Sequence, residues 1–260
     1  MYHPRDRHPS ARGVDSTSAP LLEVTDVSKS FGGLRAVNHV SFTVPEGAVL
    51  GIMGPNGSGK STLLGLIAGA LRPEAGRIQL GGADIAGLSP HRVCGAGIAR
   101  TFQLVRPFMG LSVEENVLVG GLYGRRRRTG RVSGASTEAL LARVGLVGKA
   151  HLRPSQLTVM DRKRVELARA LATGPRLLLL DEFMAGLTPA ETEGAIALVR
   201  GLQRDGLTLI MVEHIVWALL DLSQRVLVLS AGEKIADGEP AAVVADPTVV
   251  DVYLGTAGVA

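Results

Sequence analysis

The chain has a single cysteine, Cys94, in 260 residues. One thiol excludes an internal disulfide and fits a reducing compartment. Aromatic residues are nearly as scarce, at 3%. The core must therefore be filled by Val, Leu, Ile and Ala, within an apolar fraction of 46%. A chain of this length and apolar content suits one large domain, or a core with a subdomain. Long apolar runs are missing as well: none reaches the ~18 residues that a membrane-spanning helix needs. The opening "MYHPRDRHPSARGVDSTSAP" carries charges, prolines and serines but no apolar segment. It is not a secretory signal, and a disordered leader over residues 1–20 is expected. No internal repeat is visible.

Charge is unevenly spread. The net charge is +4, and "GRRRRTGR", Gly124 to Arg131, holds a large share of the arginine. Like charges in a row repel, so the plain reading is a solvated loop. Contact with anionic lipid or nucleic acid is the sharper one. No aromatic side chains are interleaved for base stacking, which speaks against single-stranded nucleic acid. The role of Arg125, Arg126, Arg127 and Arg128 stays open.

What is present is a repeated alternation of strand and helix from Leu21 onward. "LLEVTDV" and "VSFTV" read as strands, and "PEG" as a turn leading to "AVLGIM". "AVLGIM" is a continuous apolar run and so a buried strand. A helix is expected over Gly59 to Leu71. Residues from about 104 to 172 read as mainly helical. "RLLLLDE" and "LTLIMVEH" are further buried strands, separated by the helix "PAETEGAIALVRGLQRDG". "RVLVLSAGEKIADGEP" reads as a strand pair and "PTVVDVYLG" as a last short helix. Apolar strands alternating with helices imply an α/β fold, its mostly parallel sheet covered on both faces.

"GPNGSGKST" carries the chemistry: Gly54, Pro55, Asn56, Gly57, Ser58, Gly59, Lys60, Ser61 and Thr62. It matches G-x-x-x-x-G-K-[ST] and lies between a buried strand and a helix. Average composition yields the four fixed positions about once in 10⁴–10⁵ starts, so chance is a poor explanation. Glycines let backbone N–H groups turn inward around phosphate oxygens. Lys60 reaches the β and γ phosphates, and the Ser61 hydroxyl is placed for Mg²⁺. The site is one for a nucleoside triphosphate.

Asp181 and Glu182 end a run of four leucines. A carboxylate leaving a central strand lies at the sheet edge where ligands bind. Asp181 is the candidate for Mg²⁺, and Glu182 the candidate base for an attacking water. His214 ends another buried strand at the same edge and could donate to the γ phosphate. Taken alone it would more often be a structural or capping histidine. Gln103, in "IARTFQ", is another polar residue at a strand end. "LTVMDRKRVELARALA" reads as a helix start, with Thr158 as cap and Asp161 three residues on. A helix start can bind an anion. With the phosphate loop a hundred residues earlier, this second anion site needs a different owner.

Order and spacing together resemble the ATP-binding subunits of ABC transporters, over nearly the whole length from Leu21. The phosphate loop, Gln103, Asp181–Glu182 and His214 follow that family's order, and Phe31 stands where the family stacks adenine. "RTFQLVRPFMGLSVEENVLVG", "LARALATGPRLLLLDE", "AGLTPAE", "IMVEH" and "YLG" look most like the ATPases of branched-chain amino-acid importers. Relatives handling urea, amides or lipopolysaccharide share several of these strings.

The resemblance implies a P-loop NTPase, RecA-like core with an N-terminal antiparallel β region. A helical subdomain is implied over about 104–172, within a domain spanning 21–260. It implies ATP and Mg²⁺, with Ser61, Gln103 and Asp181 toward the metal and Glu182, His214 and Gln103 toward hydrolysis. It implies two membrane permease subunits, a second ATP-binding subunit and, indirectly, a solute-binding protein, with no nucleic acid. The location implied is peripheral, at the cytoplasmic face of the membrane.

By the same resemblance Leu157, Thr158, Val159, Met160 and Asp161 form the signature that binds the γ phosphate of a partner's ATP. Methionine at 160 replaces a usual glycine, and Asp161 adds a negative charge unless it points away as a cap, so a weakened half-site is expected. A heterodimer with one stronger site follows from that. Phe183, Thr188 and Ile215 are smaller departures. The rival readings are a transporter ATPase for another cargo, a regulatory nucleotide-binding subunit with little turnover, and an ABC ATPase acting on nucleic acid.

Overall fold

Apolar runs that do not alternate with polar residues demand cover on both faces, and the fold supplies it. The structure, a computed structural model, describes residues 19–101, 107–124 and 136–255. Most of the expected leader, Gln103 and the arginine run at Arg125–Arg128 lie outside the described residues.

Two sheets organise the chain. β1 (Leu22–Phe31), β2 (Leu34–Val44), β4 (Ala75–Leu80) and the short β5 (Ala83–Asp84) form an antiparallel sheet in the order β2-β1-β4-β5. The larger sheet takes β3 (Val49–Met53), β6 (Ile98–Arg100), β7 (Leu177–Asp181), β8 (Thr208–Val212), β9 (Arg225–Ser230) and β10 (Glu233–Gly238). Its order is β10-β9-β3-β8-β7-β6, parallel throughout except for the β9–β10 pair.

Side chains on successive strand residues point to opposite faces. Leu50, Ile52, Leu177, Leu179, Ile210 and Val212 pack on one side, with the antiparallel sheet and helix α1 (Lys60–Ile67). Met53, Leu178, Leu180, Leu209, Met211 and Val228 pack on the other. That side is covered by α3 (Val113–Tyr123), α4 (Thr137–Arg143), α5 (Val159–Ala172), α6 (Pro189–Arg204) and α7 (Val216–Leu222). The four leucines of β7 are fully buried. Each contributes about 1.5–3 kcal/mol of hydrophobic stabilisation. The remaining helices are α2 (Pro90–Ala96), α8 (Pro240–Val244) and α9 (Pro247–Gly255).

The expected strands and strand pair are present; the differences are at the first helix, in the antiparallel sheet, and in helices α2, α7 and α8, which the sequence reading does not contain. The first helix stops at Ile67 rather than running to Leu71, because Gly69 turns the chain at φ +73° and the Leu71 amide folds back to the Gly65 carbonyl. β4 and β5, absent from the sequence reading, complete the antiparallel sheet. The segment "AGRIQL" of β4 alternates only in its second half, where Ile78 and Leu80 are buried.

Candidate nucleotide site

Three central strands end at one edge and deliver the candidate residues there. β3 leads into the phosphate loop, β7 into Asp181 and Glu182, and β8 into Glu213 and His214. Gly54 has φ +149°, and a Cβ there would lie 2.1 Å from the Leu229 carbonyl oxygen. At Gly59 (φ +104°) a Cβ would lie 2.2 Å from the Ala36 carbonyl oxygen. Both positions therefore require glycine. The Ser58 hydroxyl is buried and makes no hydrogen bond among the described residues. Such a group calls for a partner.

Lys60 opens α1 and is buried. Its ammonium donates to the Gly54 and Pro55 carbonyls at 2.8 and 2.9 Å. Burial lowers its pKa, opposed by the charges of Glu182 and Asp181. Carbonyl partners are weaker than an anion, so the side chain is ready to exchange them for phosphate. Ser61, at the second position of α1, is exposed, as is Asn56 on the loop.

Asp181 accepts a hydrogen bond from the Arg100 guanidinium at 2.6 Å. Arg100 ends β6, the strand beside β7. Sequence reading missed this pair, because nothing near Arg100 in the chain reveals its long-range partner. Glu182 adopts φ +50°, unusual for a residue with a side chain. Its Oε1 lies 2.8 Å from His214 Nε2. The carboxylate is buried and the imidazole half-exposed, so His214 can reach outward while Glu182 stays inside. Among the described residues no group of three or more His, Cys, Asp or Glu side chains could hold a metal. Asp181 and Ser61 offer hard oxygen donors. With phosphate and water completing the shell, they suit Mg²⁺ rather than a caged ion.

Phe31, at the end of β1, is half-exposed, with the Lys29 ammonium 5.5 Å from its ring centre. α9 reaches back to the loop: the Tyr253 phenol, its pKa raised by burial, accepts a hydrogen bond from the Gly54 amide. In the sequence the terminal "YLG" carries the family resemblance but gives no sign of this contact.

The helix start at Leu157 is at hand, and Thr158 caps it as expected, accepting from the Asp161 amide at 3.1 Å. Met160 and Asp161 both turn away from the helix start's exposed surface. Met160 turns its side chain into the core, where it is 3% exposed. The backbone at 160 is ordinary helix with no positive φ, so the left-handed freedom of glycine is not used there. The Asp161 carboxylate is buried and ion-paired, to Lys149 at 2.5 Å and Arg164 at 3.4 Å. It points into the protein rather than toward an incoming phosphate. Thr158 and Val159 are the exposed residues of the five.

The sequence pattern described as "ABC transporter" matches residues 37–185. The chain belongs to the ABC transporter family. A second pattern, described as "Branched-chain amino acid ATP-binding cassette transporter", matches residues 233–259. The high-affinity branched-chain amino acid transport ATP-binding protein BraF of Pseudomonas aeruginosa is 36% identical, over 92% of this chain and 100% of its own length. LivG of Escherichia coli, of the same description, is 35% identical with the same coverage. Among solved structures, the ADP conformation of an ABC transporter cassette is similar at a TM-score of 0.80 and 30% identity, covering 92% of this chain and 100% of that one. A nucleotide-free cassette matches with the same score and identity, over 90% and 99%. This ABC protein is thus the nucleotide-binding, ATP-hydrolysing subunit of a membrane transporter with permease partners. Among its described residues no helix is long and apolar enough to cross a membrane.

Proposed function

We propose that the chain powers an importer of branched-chain amino acids, bound peripherally to permease subunits at the cytoplasmic face and served by a solute-binding protein. The likeness to BraF and LivG over the whole of their lengths supports the cargo. The observation that carries the chemistry is the meeting of Lys60, Asp181, Glu182 and His214 at the ends of β3, β7 and β8.

Phosphates enter the glycine loop and replace the carbonyl partners of Lys60. The half-exposed Phe31 ring offers a face for adenine. Asp181, Ser61 and Gln103 would hold Mg²⁺, which when bound would offset charge on the β and γ phosphates. Glu182 accepts a proton from the attacking water. His214, held by Glu182, positions the γ phosphate. Positioning and electrostatics carry the rate.

The signature of a second ATP-binding subunit closes over this nucleotide, and Leu157–Asp161 closes over the partner's. Thr158 spends its hydroxyl on the helix cap and Val159 presents an apolar side chain, so this chain's signature is the weaker. The pair is therefore a heterodimer with one dominant site. ATP binding draws the subunits together as rigid bodies and moves the permeases. The test is ATP turnover of the reconstituted transporter with Glu182→Gln in this chain, then with the matching change in its partner. The first should lower turnover about 10²–10³-fold, the scale of losing one catalytic group. The second should lower it much less. Equal losses would remove the asymmetry. Uptake of labelled leucine by the same vesicles tests the cargo, with urea as the competing cargo.

A further inference from the structure

Behind the hydrolytic carboxylate lies a second buried acid with no part in the chemistry above. Glu213 follows β8 and is 4% exposed. Its Oε1 accepts the Met184 amide at 3.0 Å, and the Phe183 amide faces the same carboxylate. These are the two residues that follow Glu182. Its Oε2 is buried and makes no hydrogen bond among the described residues. On the α5 side, the buried Lys163 carries the opposing charge and donates to the Glu182 carbonyl at 3.4 Å.

Glu182 needs such support. Its left-handed backbone costs about 1–2 kcal/mol for a residue with a Cβ, and strain of this kind persists only when neighbours over-determine it. The amide of Glu182 is held by the Val212 carbonyl at 2.8 Å, and its carbonyl accepts from the Ala185 amide at 3.1 Å. Glu213 holds the Met184 amide, with the Phe183 amide facing it, from the same β8 end. The turn is thus gripped by β8 on one side and α5 on the other. That grip aims the Glu182 side chain at His214.

We propose that Glu213 is a positioning residue for ATP hydrolysis: its carboxylate, by accepting the Met184 amide, holds the turn that aims Glu182. The inference rests on Glu182 acting on the attacking water. Lys163 joins the same turn to α5, the helix that begins at the partner-facing signature. A displacement of α5 would therefore be felt at Glu182.

The test compares Glu213→Leu and Glu213→Gln in the assembled transporter. Steady-state turnover is read beside affinity for a fluorescent ATP analogue, with Glu182→Gln as control. The leucine variant should lower kcat at least tenfold while the analogue binds within about twofold of normal. Glutamine keeps an acceptor for the Met184 amide and should run at least fivefold faster than leucine. If the leucine variant does not fold, Glu213→Asp, which draws the acceptor back by one methylene, should lower kcat several-fold at unchanged affinity. An unchanged kcat in the leucine or aspartate variant, a parallel loss of binding, or glutamine no better than leucine overturns the proposal. If Glu182→Gln itself leaves turnover intact, the underlying reading of Glu182 has failed instead.

Discussion

The two ends of this chain's nucleotide machinery are built differently. The half that receives its own ATP stands on the ends of buried strands. Its groups converge from three distant stretches, Gly54–Thr62, Asp181–Glu182 and His214, and several have incomplete or exchangeable partners. Lys60 rests on carbonyls, and the Ser58 hydroxyl has no hydrogen-bond partner among the described residues. The helix start at Leu157–Asp161, proposed above to face a partner's ATP, is built otherwise: its two polar side chains already have partners within the chain. Thr158 holds the Asp161 amide, and Asp161 is paired with Lys149 and Arg164. At the phosphate loop the incomplete partners of Lys60 and Ser58 fit a site that awaits a ligand, whereas Thr158 and Asp161 are already committed within the chain.

Three changes sharpen or break this contrast. The largest is Met160→Ala. If position 160 is core rather than binding surface, the truncation should cost about 3 kcal/mol of stability, as buried methionine truncations do. The affinity of this chain for a fluorescent ATP analogue should stay within about twofold. Denaturant unfolding reads the first and nucleotide titration the second. A neutral effect on stability would return Met160 to the binding surface.

The next is a pH dependence. Burial raises the Glu213 pKa to about 7, partly offset by the Met184 amide and Lys163 and reinforced by Glu182. Between the unfolded carboxylate range and this value the folded state binds the extra proton, so the contribution of Glu213 to stability falls as pH rises. Relative to Glu213→Gln, the native protein should lose about 2 kcal/mol between pH 4.5 and pH 7.5, within what such a shift allows. Parallel stability–pH curves for the two proteins would show that Glu213 is not buried as described. The smallest is Thr158→Ala, which removes the α5 cap and should cost about 1 kcal/mol. Turnover at this chain's own site should change little. A loss of turnover beyond tenfold would mean that the hydroxyl is more than a cap.

Legibility in the sequence followed the range of the interaction. The phosphate loop is contiguous, so its residues and its strand–loop–helix setting could be read directly. β3, β7 and β8 announced themselves as unbroken apolar runs, and Asp181, Glu182 and His214 followed from being at their ends. β4 escaped because half of it is exposed and does not alternate. The helix start at Thr158 was legible from its cap and periodicity, but the inward direction of Met160 was not. Sequence gives a residue's identity but not the direction it faces on a helix one turn long from its cap. Arg100, Lys163, Glu213 and Tyr253 act through partners far away in the chain, and no local pattern marks them.

The position of β3 has a consequence for how the protein is made. It occupies the middle of the larger sheet, and both strands that flank it, β8 and β9, come after residue 207. On the ribosome the glycine loop emerges early but has no walls. Contacts this remote in sequence form slowly and leave apolar edges waiting. A nascent chain released before β9 should therefore be unable to recognise ATP at all, and competence should arrive abruptly, near the end of synthesis.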